Sequence, residues 1–99
     1  MESWLRCTVT PGQFTGEYAV RGEQFNGSVF SFFAPEEYVA QAEAVENGRH
    51  ADAWVRVHVW GQKGNLAVVR LPRESFESGQ YVTVPTDQLT TTPRPLVVS

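Results

Sequence analysis

The residues best suited to chemistry lie in the run Ala53–Trp60, where Trp54, Arg56, His58 and Trp60 occupy alternate positions. In an extended chain a period of two puts these four side chains on one side of a strand and Val55, Val57 and Val59 on the other. Planar indoles beside cations stack on the bases of single-stranded nucleic acid. They also stack on sugar rings, and Trp and Arg are favoured anchors of protein interfaces. Arg70, on the next predicted strand, is expected across a hairpin from this face, its exact place depending on register. Trp54, Arg56, His58, Trp60 and Arg70 are therefore the candidate binding residues. In the plainer structural reading the indoles cover barrel ends and the arginine stems pack on them.

Other chemistry is weakly represented. His50 and His58 are the only histidines and Cys7 the only cysteine, with no Cys-x-x-Cys or His-x-x-x-His spacing. A closed zinc site needs four nearby ligands, so no metal is expected, and no cofactor. Cys7 alternates with Leu5 and Val9, which places it inward as an inert thiol and not as a nucleophile. Glu36 and Glu37 are adjacent and would not face each other on a helix, so they make a poor acid–base pair. Gly61-Gln62-Lys63-Gly64 lacks the strand–loop–helix setting of a phosphate loop. With no catalytic set, the chain is expected not to be an enzyme. An enzyme would need a polar cleft with converging titratable groups.

The elements that position these residues follow from alternation and punctuation. Trp4–Thr10 reads as a half-buried strand, with Leu5, Cys7 and Val9 inward, ended by Pro11-Gly12. Glu17–Arg21 and the aromatic-rich Ser28–Phe33 read as the next two strands, with Asn26-Gly27 at the turn between them. Pro35, Glu36 and Glu37, followed by Tyr38, Val39, Ala42 and Val45 and then Asn47-Gly48, carry helix boundary signals and predict a short helix. Ala53–Trp60 and Asn65–Leu71 predict a hairpin connected by Gly61–Gly64. Pro72–Phe76 reads as a loop. Gln80–Val84 is the last strong strand, ended by Pro85. Leu96-Val97-Val98 could add an edge strand.

The two halves look alike. Trp4-Leu5-Arg6-Cys7-Thr8-Val9 sits over Trp54-Val55-Arg56-Val57-His58-Val59, fifty residues on. Gly16–Val20 aligns with Gly64–Val68, Phe25 with Phe76, Gly27 with Gly79, and Phe32–Pro35 with Val82–Pro85. The first-half counterparts of the aromatic face are Trp4, Arg6 and Thr8. One three-strand half would expose long edges, whereas two halves interleaved about a pseudo-twofold axis can close into a six-stranded barrel and remove them. The expected fold is mainly β: a small closed or partly open barrel of about six strands in two pseudo-symmetric three-strand halves, linked by one short helix. Residues 1–89 would form this domain, with repeats at 4–39 and 54–89, and 90–99 an extended tail.

The run Gly79–Leu89 resembles the strand–Pro–turn element of swapped-hairpin and related cradle-loop barrels. It also resembles the end of an SH3-like barrel. A helix after the third strand suits the five-stranded OB barrel, with one strand left over. The first resemblance implies a dimeric DNA-binding regulator, but the basic arm and patch expected there are missing.

Composition bounds the function. The chain has 99 residues, 41% hydrophobic and 19% charged, with net charge −3. A domain this small buries only about two-thirds of its unfolded surface, so association could usefully bury more. The acidic balance argues against a protein devoted to non-specific polyanion binding. With a lone cysteine, no signal-like start and no apolar run of membrane-spanning length, the chain is expected to be cytoplasmic and soluble. The leading expectation is a non-catalytic interaction module with a protein partner or a second copy of itself. The alternative is binding of single-stranded nucleic acid or oligosaccharide through the aromatic-basic face.

Overall fold

Alternation of apolar and polar residues builds the sheet, and turns with Gly or Pro divide it. The computed structural model describes residues 2–40 and 50–93. It contains strands β1 (Glu2–Pro11), β2 (Glu17–Glu23), β3 (Val29–Pro35), β4 (Val39–Ala40), β5 (Ala51–Lys63), β6 (Leu66–Ser75), β7 (Gly79–Pro85) and β8 (Leu89–Thr90). Six of them form one antiparallel sheet in the order β3-β2-β1-β5-β6-β7, curled into a half-barrel. Short 3₁₀ turns at Glu36–Tyr38 and Thr86–Gln88 lead into β4 and β8.

The concave face is the core. Leu5, Cys7 and Val9 of β1 and Val55 and Val57 of β5 point into it, as alternation demands. They meet Val20, Phe30, Phe32, Ala34, Ala67, Val69, Leu71, Val82 and Val84 from the flanking strands. Phe30 and Phe32 stack with centroids 6.4 Å apart.

The two halves share one topology. Each runs through three strands, a 3₁₀ turn after proline, and a two-residue strand. Those last strands are exchanged: β4 of the first half pairs with β5, and β8 of the second pairs with β1. The pseudo-twofold axis passes between β1 and β5, where Leu5 lies opposite Val55.

Four details depart from the sequence expectations. The helix over 35–47 is, in its described part, a single 3₁₀ turn. Val39 and Ala40 pair with Val55 and Trp54, which draws the chain into extended form after one turn. Residues 41–47 of that helix, and the edge strand over Leu96–Val98, lie outside the described residues. The β5–β6 turn is not Gly61–Gly64: Lys63 already pairs with Leu66, and Gly64 takes the positive φ of 62° that the two-residue connection requires. Pro72–Ser75 is strand and not loop, since β6 continues past a register irregularity to pair Ser75 with Gly79. Thr90 belongs to β8, one residue into the expected tail.

The alignment of the halves also shifts by one. Glu17 and Leu66 face Pro35 and Pro85 in the same way, so Glu17 matches Leu66 and Val20 matches Val69. The cause is a bulge. In β1–β2, Val9, Thr10 and Pro11 pair without a break, but β5 pairs Val59 and then Gly61, leaving Trp60 as the extra residue.

Open sheet edges invite wrong pairing, and here each hairpin tip reaches the opposite edge. The Phe25 N–H donates to the Thr83 carbonyl at 3.0 Å, and the Phe76 N–H donates to the Ser31 carbonyl at 2.9 Å. Side chains complete the seam: the Thr83 N–H donates to Gln24 Oε1 at 3.1 Å. The Ser31 N–H donates to Glu77 Oε1, and the Ser31 hydroxyl to Glu77 Oε2, both at 2.7 Å.

The Ser31 hydroxyl bond holds the Glu77 carboxyl below its ordinary pKa. A depressed pKa means that the bond stabilises the seam above the ordinary carboxylate pKa of about 4.3 and is lost as pH falls through the folded value. The hydrogen-exchange protection factor of the Ser31 amide is therefore expected to drop in acid. Glu77→Ala should lower it already at neutral pH. Protection that is constant into acid would show that Glu77 does not hold this edge.

Candidate functional site

The four residues of the predicted face are not exposed alike: Trp54 is buried and Arg56 half-buried, while His58 and Trp60 are exposed. Trp54 is buried at 8% exposure, lying opposite Arg6 of β1 and Ala40 of β4. Arg56 is half-buried, its guanidinium 4.7 Å from the centroid of the Tyr38 ring, a cation–π contact. Trp4 faces Arg56 and Trp54 faces Arg6 in the register of β1 with β5. Of these two tryptophans Trp54 is buried and Trp4 half-buried. Alternation gives the side of the sheet but not the neighbour: β4, which that rule does not reveal, pairs Ala40 with Trp54.

His58, Trp60 and Arg70 do come together on the convex side. His58, Arg70 and Tyr81 lie abreast across β5, β6 and β7, all exposed. Trp60, 64% exposed, meets Tyr81, 49% exposed, edge to face with centroids 6.3 Å apart. Exposed Val68 is next to Arg70 on the outer face of β6. The bulge at Trp60 re-aims a large ring at the surface, a common use of bulges.

Sequence reasoning missed Tyr81 and Val68. Tyr81 alternates with the buried Val82, so its exposure was legible. Its place beside Trp60 was not, because that needs the β6–β7 register.

The matching surface of the first half is different. Thr8, Arg21, Ser31 and Ala19 stand where His58, Arg70, Tyr81 and Val68 stand in the second. Trp60 has no counterpart at all. The shared topology therefore does not require this aromatic cluster.

The structure also contains clefts that the sequence did not announce. Where β8 leaves β1 and β2 has not yet joined it, a cleft of about 740 Å³ opens over Leu5–Thr8. Arg6, Arg21, His50, Asp52 and Gln88 are among its lining residues. Arg6 forms an ion pair with Asp52 at 3.7 Å, half-exposed and so worth little to stability. The equivalent cleft of the second half, lined by Tyr38, Arg56, His58, Arg70 and Leu71, measures about 260 Å³.

Cys7 touches the larger cleft but is buried, and its thiol donates to the Ala53 carbonyl at 3.6 Å. Burial, aided by the Asp52 charge, pushes the thiol pKa up to about 12. A thiol reagent at pH 8 is expected to leave Cys7 unmodified in the native protein and to label it only on unfolding. Rapid labelling of the folded chain would contradict the burial.

Among the described residues no group of three His, Cys, Asp or Glu side chains could hold a metal ion. Nor is any helix among them long and apolar enough to cross a membrane. No protein-family model, no curated protein and no solved structure matches the chain, so the functional reading rests on this geometry.

Proposed function

We propose that the protein is a non-catalytic interaction module whose contact surface is the convex face of β5, β6 and β7 around Trp60 and Tyr81. The observation that carries this reading is the asymmetry between the halves. Both build the same curled sheet, yet only the second half inserts a tryptophan by a bulge and sets it against an exposed tyrosine. Rings of this size held in water cost solubility without adding to the core, and Trp, Tyr and Arg together form the usual hot spot of a protein interface. The partner is a protein, either another chain or a second copy of this one.

A second reading is favoured by the same rings standing beside Arg70 and His58: stacking on single-stranded nucleic acid or an oligosaccharide. The indole N–H signals of the three tryptophans distinguish the two. The first reading expects the Trp60 signal to stay fixed when short single-stranded DNA, RNA or oligosaccharides are added at low salt. For self-association it should shift on concentrating the protein alone. A saturable, salt-sensitive shift of Trp60 with an oligonucleotide, weakened by Arg70→Ala, would overturn the protein-partner reading.

A further inference from the structure

The two clefts are the same place in the two halves, and one of them shows what the other lacks. In the small cleft the 3₁₀ turn supplies Tyr38, whose ring lies against the guanidinium of Arg56. At the equivalent position of the large cleft the turn supplies Gln88, and the arginine is Arg6. The guanidinium of Arg6 meets Asp52 through its nitrogen edge, which leaves a flat face suited to a ring. Arg21 and His50 line the same space. A volume of about 740 Å³ falls in the range of small-ligand clefts, roughly 300–1,000 Å³, whereas the filled cleft does not.

We infer that the large cleft binds a small planar aromatic ligand carrying an anionic group. The ring takes the place on Arg6 that Tyr38 takes on Arg56. The anion is met by Arg21, with His50 beside it. This site does not involve the Trp60 face and stands or falls separately from it.

The chemistry fits a nucleoside monophosphate or an aromatic carboxylate, and the test separates them. Adenosine monophosphate and 4-hydroxyphenylacetate would be titrated into the full chain, with adenosine and inorganic phosphate as probes lacking the anion or the ring. Backbone amide signals of Arg6, Thr8 and Arg21 report on the site. At least one of the two ring-anion probes should saturate these signals, and which one does so identifies the source. Adenosine and phosphate should bind at least about tenfold more weakly than it. Gln88→Tyr, which copies the plug of the other half, should abolish binding while leaving the tryptophan indole signals in place. Arg6→Met, which keeps the apolar stem, should weaken binding about tenfold. The proposal is overturned if neither ring-anion probe binds in the millimolar range. It is also overturned if phosphate alone matches them, or if both variants bind as the wild type does.

Discussion

Gly22→Leu is expected to unfold the protein or cost about 3 kcal/mol, the upper range for overpacking a core. A Cβ at residue 22 would collide with Cζ of Phe30 and lie 3.0 Å from both Cε atoms, so the fully buried ring has nowhere to go. Phe30→Gln should cost about 3–5 kcal/mol on its own, because it removes that ring from the core. The second half fills the same space the other way round. Leu71, which matches Gly22, supplies the buried side chain at 1% exposure, and Gln80, which matches Phe30, turns its amide to donate to the Leu71 carbonyl at 2.9 Å. The double variant Gly22→Leu/Phe30→Gln copies that arrangement and should be more stable than either single variant. Urea denaturation of the four proteins measures the coupling. Simple additivity would mean that the two halves do not pack equivalently.

The second large effect separates two tryptophans of one strand. Trp54→Ala is expected to cost about 3–5 kcal/mol, as large-to-small changes of buried aromatics do. Trp60→Ala should change stability by no more than about 1 kcal/mol, the worth of its edge-to-face contact with Tyr81. Denaturation midpoints with unchanged slopes would establish the contrast. Equal losses would mean that Trp60 is a structural residue, and the proposed surface would lose its anchor.

This contrast shows how far the sequence could be read. Period-two alternation placed Leu5, Cys7, Val9, Val55 and Val57 inward, and each is buried there. The three-strand halves were visible because Trp4–Val9 and Trp54–Val59 share a pattern with no gaps. The aromatic face failed as a unit because exposure depends on what lies alongside. Alternation gives the side of the sheet, but β4 runs beside Trp54 and the Tyr38 ring takes up Arg56, and neither neighbour follows from local pattern. The one-residue error in aligning β2 with β6 has a similar origin. A bulge adds a residue without adding a turn signal, so Trp60 looked like the next alternate position when it is an insertion. The helix signals after Pro35 were also genuine local preferences, and pairing of Val39 and Ala40 with β5 overrode them after one turn. The large cleft was hidden because it is made by a gap between β2 and β8 along β1, a feature of register alone.

The measurement that bears most directly on the proposed function is site-specific photo-crosslinking in cells. A benzophenone side chain would replace Tyr81 in one protein and Phe14, an exposed aromatic of the β1–β2 turn in the other half, in a second. The interaction surface around Trp60 predicts a discrete protein adduct from position 81, either with another copy or with a different chain, that is lost in the Trp60→Ala background and absent from position 14. Adducts of equal yield from both positions, or none from position 81, would contradict it.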